Sequence, residues 1–322
     1  MLIKYAQAKT VVAPLDRVKI LFQASNPQFA KYTGSWFGVI TAMKDIHRQD
    51  GTRGLFRGHS ATLIRIFPYA AIKFLAYEQF RSVIIRSPQQ ETPIRRLLSG
   101  SLAGVTSVFF TYPLEVIRVR LAFETKRDSR SSLSDICNKI YNEAAPPPRP
   151  TSTGPAVVAA TANTVRAITP RNGLANFYRG FSATMMGMLP YAGMSFLTHD
   201  TAGDILRHPA IAAYTTLPQP PNAPANKRVP LRSWAELLAG GVAGLVSQTS
   251  AYPLEVIRRR MQVGGAVGDG HRLHVGETVR MIFRERGILG FWVGLSIGYV
   301  KIAPMVAVSF YAYERGKTWL GI

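Results

Sequence analysis

The sequence predicts an all-α chain of three tandem repeats, each with two long kinked helices and a short helix between them. Three observations carry this reading. A run of proline, leucine, an acid, two variable residues and a base occurs as Pro14-Leu15-Asp16-Arg17-Val18-Lys19, Pro113-Leu114-Glu115-Val116-Ile117-Arg118 and Pro253-Leu254-Glu255-Val256-Ile257-Arg258. A glycine-rich turn follows each copy and closes on Gly58, Gly180 or Gly294. A second proline, Pro68, Pro190 or Pro304, stands ten residues past each closing glycine. One order kept three times means one supersecondary unit repeated, and a proline inside an apolar helix removes a donor and bends it.

The first helix is an apolar run from Leu2 through Pro14 to Gln23. Its counterparts start earlier, with Gly100 and Gly104, and Gly240 and Gly244, standing 13 and 9 residues before their prolines. Paired small residues four apart predict close helix approach. In repeat one the equivalent positions are Met1 and Tyr5, so the first helix lacks its opening turns, as a truncated or mis-started chain would. An amphipathic segment follows from Trp36 to Arg48, with Phe37, Ile40, Met43 and Ile46 on one face.

The turn Asp50-Gly51-Thr52-Arg53-Gly54-Leu55-Phe56-Arg57-Gly58 leads into the second long helix and returns near Gly173–Gly180 and Gly287–Gly294. Such a turn offers backbone N–H groups to phosphate, or serves simply as a tight connection. Near the end of that helix, Tyr77-Glu78-Gln79-Phe80-Arg81 is echoed by Tyr313-Glu314-Arg315-Gly316-Lys317 and in part by His199-Asp200-Thr201-Ala202-Gly203.

The distance from motif proline to closing glycine is 44, 67 and 41 residues, which places an insertion of about two dozen residues at 144–170. A proline-rich run at 209–230 separates repeats two and three; neither stretch has helical periodicity, and both read as loops. The repeats therefore cover 1–91, 92–208 and 231–322 of one domain.

With 39 Lys and Arg against 18 Asp and Glu, the net charge of +21 favours an acidic partner: nucleic acid, anionic lipid or a polyanionic small molecule. A mean hydropathy of +0.05 leaves a soluble or a membrane protein open. The single cysteine, Cys137, excludes an internal disulfide and a multi-cysteine zinc site, and beside Ile136 it reads as apolar filler. The first five residues lack the layout of a secretory signal.

Three copies of P-x-[DE]-x-x-[KR], each followed by a short helix and a glycine-rich turn into another helix, resemble the mitochondrial carrier family over essentially the whole chain. The resemblance implies an all-α membrane protein: six kinked transmembrane helices in a pseudo-threefold barrel around a central cavity, monomeric, in the inner membrane, with three short helices on the matrix side. Charges inside membrane helices are costly unless they are paired and face a cavity. The family's matrix gate, an interhelical ring of ion pairs, maps onto Asp16 and Lys19, Glu115 and Arg118, and Glu255 and Arg258. Gln23 and Gln262 resemble its bracing glutamines, a role closed to Ala122. A second, cytoplasmic ring maps onto Glu78, Arg81, Asp200, Glu314 and Lys317, with one bridge fewer because Gly203 stands where a base is expected. The alternative is that these pairs only hold the helices together. Anionic lipid, cardiolipin in such a membrane, is the implied partner of the glycine-rich helix starts.

Substrate contact in this family falls on the second helix of each repeat, here seven residues past the closing glycine: Arg65, Gly187 with Met188, and Lys301. Two cations with a Gly-Met pair suit an adenine-containing substrate: glycine admits the flat base, methionine offers an adaptable apolar surface, and the cations take phosphate. Lys9 and Lys73 add charge to the same cavity or snorkel to the interface. The wording around Lys9–Lys19 and Arg65–Phe74 looks most like the coenzyme A carrier branch, which implies coenzyme A, ATP, ADP or adenosine 3′,5′-diphosphate as substrate.

Other classes fit less well. A nucleic-acid binder concentrates its bases on one face, whereas these are spread over three equivalent units. A soluble helical-repeat scaffold stays open on pattern alone. For an enzyme there is no ligand-spaced histidine cluster and no serine nucleophile motif, and nothing calls for a cofactor or a metal.

Overall fold

The computed structural model describes residues 2–34, 36–85, 92–125, 132–143, 173–217, 229–264 and 273–302, with 304, 305 and 308. Repeat one contains α1 (Leu2–Gln23), a 3-10 turn (Ala30–Tyr32), α2 (Trp36–Leu55) and α3 (His59–Ile84). Repeat two contains α4 (Pro93–Phe123), α5 (Leu133–Tyr141), α6 (Gly173–Asn176) and α7 (Phe181–Leu206). The short α8 (Pro209–Thr215) leads to repeat three, with α9 (Ser233–Val263), α10 (Val275–Arg286), a 3-10 turn (Ile288–Trp292) and α11 (Leu295–Val300). Pro14, Pro113, Pro253, Pro68 and Pro190 all lie inside helices, as the repeats require.

Helix α3 packs along α4, α7 packs along α9, and α1, α4 and α9 touch one another. The glycines are not the small-residue seam. A Cβ added at Gly100, Gly104, Gly240 or Gly244 would meet nothing within 4 Å. The buried stripe lies one residue earlier: Ser99, Ala103 and Ser107 on α4, and Ala235, Ala239, Ala243 and Ser247 on α9. Spacing of four marks a stripe without saying which of two adjacent small stripes meets the neighbour, and Ser107 decides the case by donating to the Tyr69 carbonyl on α3 at 2.8 Å. On α2 the buried face is likewise rotated. Ala42 and Ile46 are buried with Val39 and Met43 beside them, while Phe37 and Ile40 are exposed.

The closing glycines have a clear physical reason. Gly58, Gly180 and Gly294 adopt φ of 82°, 78° and 82°, and each caps the N-terminus of the helix that follows. A Cβ at Gly58 would lie 2.8 Å from the Arg118 carbonyl oxygen, and one at Gly180 would lie 3.1 Å from that of Arg258. Both the left-handed backbone and the approach of the next repeat exclude a side chain.

The 209–230 connection is partly folded, contrary to the loop expectation. Pro209 sits in the first turn of α8, where its missing N–H costs nothing. Beyond it Thr216 bridges Leu231 in antiparallel fashion. The 144–170 insertion, Glu314 and Lys317 lie outside the described residues. Cys137 is half-buried against the apolar cluster of α4, and burial pushes its thiol above the usual range.

Polarity runs inside out. Arg17, Lys19, Glu115, Arg120 and Arg260 are buried, while Phe67, Phe74, Leu75, Phe110, Leu189, Phe196 and Leu237 are exposed on the long helices. Among the described residues Leu98–Phe123 alone passes a length-and-hydropathy test for a membrane span.

Gly58→Ala should lower the melting temperature of the detergent-solubilised protein. The left-handed backbone alone costs about 1–2 kcal/mol, and the contact with Arg118 adds to it. Gly104→Ala, helical and uncrowded, should leave stability unchanged or raise it by up to about 1 kcal/mol.

Candidate functional site

The proline motifs bring three acids and three bases to one level, and the pairs they form are between helices. Arg118 Nη2 on α4 lies 3.1 Å from Asp16 Oδ2 on α1. Arg258 on α9 pairs with Glu115 on α4. Lys19 Nζ on α1 lies 3.0 Å from Glu255 Oε1 on α9. Each base binds the acid of a neighbouring repeat, so the three pairs form one closed cycle.

Two of the bases rest on tyrosines that directly precede a motif proline. The Arg258 guanidinium lies 5.6 Å from the Tyr112 ring centroid, and Lys19 Nζ lies 5.0 Å from that of Tyr252. The two hydroxyls donate to the carbonyls before the closing glycines, Tyr112 to Arg179 at 2.9 Å and Tyr252 to Val293 at 3.0 Å. Tyrosine thus ties base, acid and turn together, with the cation–π contact adding to the ion pair. In repeat one the position is Ala13, so the Arg118–Asp16 pair has no such platform. These tyrosines were readable as the repeated Tyr-Pro-Leu-Glu of repeats two and three.

The glutamines act less directly than expected. Gln262 accepts from Arg259 Nη1 at 2.9 Å and donates to the Tyr112 hydroxyl at 3.1 Å. Gln23 is buried beside Tyr252 and Gly294. Arg259, absent from the sequence-derived set, donates to Glu115 Oε1 at 3.0 Å. Its signal was the run Arg258-Arg259-Arg260, where repeat two has Arg118-Val119-Arg120.

The two cations expected at the substrate contact points do not stand free in a cavity; both are held by ring acids. Arg65 Nη2 lies 3.1 Å from Glu115 Oε2, and Lys301 Nζ lies 3.1 Å from Asp16 Oδ1. In each case the cation of one repeat reaches the motif acid of the next. Gly187 breaks the pattern, having no side chain to offer Glu255; the place of its Cβ lies 3.5 Å from Leu254. Met188 packs against the apolar cluster of α4. Lys9 is half-buried and joins the group through its electrostatic contact with Asp16, Lys301, Arg118 and Arg65. Lys73 is exposed and outside the group. Glu78, Arg81 and Asp200 are also exposed, and Gly203 is buried.

Below the ring lies a second layer of buried arginines. Arg17 pairs with Asp50 at 3.5 Å, Arg120 with Glu143 at 2.7 Å and Arg260 with Glu285 at 2.6 Å. Arg17 and Arg120 also donate through Nε to carbonyls of the next repeat, Ala122 and Gln262. These arginines lock the short helices to the ends of α1, α4 and α9.

The family model for mitochondrial carrier proteins matches residues 2–88, 89–209 and 229–322. The chain belongs to the mitochondrial carrier family. This carrier is 50% identical to the mitochondrial carrier protein LEU5 of Saccharomyces cerevisiae, over 98% of its own length and 87% of that protein. It is 37% identical to human solute carrier family 25 member 16, over 96% and 83% of the two chains. It is 35% identical to the mitochondrial coenzyme A transporter SLC25A42 of Danio rerio, over 96% and 82%. As members of this family are, the carrier is a multi-pass protein of the mitochondrial inner membrane, and the family consists of transporters.

Reversing one member of the cycle, Lys19→Glu or Glu255→Lys, should cost about 3–5 kcal/mol, as for a broken buried pair. The double reversal should recover most of that loss, as measured by thermal unfolding.

Proposed function

We propose that the carrier transports coenzyme A, or a closely related adenine nucleotide, by alternating access and without covalent chemistry. The observation that carries this reading is the charge of the convergent cluster. Lys9, Lys19, Arg65, Arg118, Arg258, Arg259 and Lys301 face Asp16, Glu115 and Glu255, a surplus of four positive charges. Coenzyme A carries an adenosine 3′-phosphate and a pyrophosphate, roughly four negative charges near pH 7 when a phosphomonoester counts as about −2. The relation to the Danio rerio coenzyme A transporter supports the same substrate. Gly187 carries no side chain and Met188 is apolar, the pair that this reading assigns to the flat base.

In this reading six kinked helices form a pseudo-threefold barrel, and the cycle of Asp16–Arg118, Glu115–Arg258 and Glu255–Lys19 is the matrix gate in its closed form. The exposed Glu78, Arg81 and Asp200 belong to the opposite gate. Substrate phosphates contact Arg65 and Lys301, and binding energy offsets the ring pairs that open. The carrier works as a monomer, with cardiolipin at the glycine-led helix starts. ATP, ADP and adenosine 3′,5′-diphosphate share the recognised groups and are the alternative substrates.

Uptake of labelled coenzyme A, ADP and adenosine 3′,5′-diphosphate into liposomes holding the purified carrier tests this. Exchange of at least one is expected, with coenzyme A foremost, and exchange of a carboxylate or amino acid in their place rejects it. Arg65→Ala and Lys301→Ala should each lower uptake by at least about tenfold, one charge-assisted phosphate contact being lost, while the proteins remain folded and inserted. Near-normal uptake by both removes these residues from the site.

A further inference from the structure

The outer end of α7 departs from its counterparts in sequence. Repeats one and three place a base three residues after an acid, Glu78 with Arg81 and Glu314 with Lys317, whereas Asp200 is followed by Gly203. Gly203 is buried, and its own helix covers it: a Cβ there would stand 2.7 Å from Nη1 of Arg207. That is closer than real Cβ contacts come. The guanidinium of Arg207 therefore occupies the space in which a side chain at 203 would begin. Residues four apart share a helix face, so Arg207 brings its charge back over the position where the repeat pattern expects one.

The other contacts of Arg207 hold it in place without neutralising it fully. Nε donates to the Val229 carbonyl at 2.8 Å, in the connection to repeat three. Nη1 lies 3.8 Å from Asp204 Oδ1, on a side chain 60% exposed. A neutral carbonyl and a distant, solvated carboxylate are weaker partners than a close carboxylate, to which hydrogen bonds are charge-assisted.

We propose that Arg207 is the outer-gate base of repeat two, displaced by one helical turn from Gly203, and that it exchanges the Val229 carbonyl for a gate carboxylate when the cytoplasmic side closes. This rests on the alternating-access reading above. Gly203 then has a reason: a lysine or arginine there would expel the Arg207 guanidinium from the space it uses. The outer gate keeps a base in every repeat, so the bridge that the sequence pattern subtracts is restored from a different position. Arg207 acts as a positioning residue for the transport cycle and touches no substrate.

Exchange in liposomes, with KM and maximal rate measured separately, tests the proposal on Arg207→Ala, Arg207→Lys and the double variant Arg207→Ala/Gly203→Lys. Arg207→Ala should lower the maximal rate about tenfold, the loss of one charge-assisted hydrogen bond, with KM nearly unchanged. Arg207→Lys should retain more of the rate than Arg207→Ala. The double variant should recover most of the loss although it lacks the Val229 bond, a rescue that a purely structural clasp cannot give. An unaltered rate in Arg207→Ala, or no rescue, overturns the proposal.

The unmodified carrier in the same assay separates the two readings, since its failure to exchange any of the three nucleotides rejects the substrate and leaves Arg207 to a second measurement. There, the variant Thr201→Cys, beside the gate acid and exposed, is labelled in a Cys137→Ser background with a membrane-impermeant maleimide without substrate. Arg207→Ala should speed labelling severalfold by depopulating the outward-closed state, and adding Gly203→Lys should reverse it. Equal rates overturn the proposal.

Discussion

Glu115 is the constraint from which the rest of the structure follows. It is 2% exposed, and Arg65, Arg258 and Arg259 all reach it. An isolated carboxylate at that depth costs many kcal/mol, whereas a paired and hydrogen-bonded one is tolerable. One helix cannot supply the partners, because Arg118 on the same helix binds Asp16. The acid therefore requires α9 and α3 to stand beside α4. Kinking at Pro113 and its two counterparts lets the three helices meet at one level, and the tight glycine turns let the second helices follow them. Apolar residues are left to face outward, which is the reverse of a soluble protein's order and matches a lipid environment.

The three repeats solve the same problem unequally. Repeats two and three set a tyrosine beneath the base that reaches their acid, and repeat one sets Ala13 there. Repeats one and three contribute a cation seven residues past the closing glycine, and repeat two contributes Gly187. Repeat three alone adds Arg259. Symmetric scaffolding and asymmetric lining serve different ends: the first closes the cycle, and in the proposed reading the second shapes the cavity for a ligand with a flat base at one side and phosphates at another.

Much of the scaffold was legible because it rests on residues whose chemistry is nearly unconditional. A proline in an apolar helix and a positive-φ glycine at a helix start each leave one structural option, and their repetition located every motif helix. Side-chain partners were less legible. Asp16 and Lys19 sit on one helix three residues apart, and the family resemblance rather than the spacing made their pairing interhelical; the inward face of α1 aims both at neighbours. The seam of α4 was placed on Gly100 and Gly104 when Ser99, Ala103 and Ser107 carry it, since adjacent small stripes look alike until a partner is in view. Arg259, Tyr112 and Tyr252 escaped because a residue outside a repeated pattern, or shared by only two copies, carries little weight in a comparison of three. The folded part of 209–230 was hidden by its prolines, which break helices but also begin them.

The contact cations change what opening the ring would cost. When a buried pair separates, the expense lies in the charge left without a partner. If Arg118 leaves Asp16, Lys301 remains on the other carboxylate oxygen. If Arg258 leaves Glu115, Arg65 and Arg259 remain. Glu255 differs, with Lys19 as its single ion-pair partner among the described residues. Because Gly187 supplies nothing, separation of Lys19 strands that acid. In the proposed cycle the released bases find phosphate, so a polyanion in the cavity lowers the cost on the basic side of each pair. On the acidic side Glu255 alone is left without a second ion-pair partner among the described residues, though its side chain is 28% exposed. In that cycle the Glu255–Lys19 pair has the fewest substitutes on its acidic side, although it contains the ring's only lysine, because Gly187 offers no side chain.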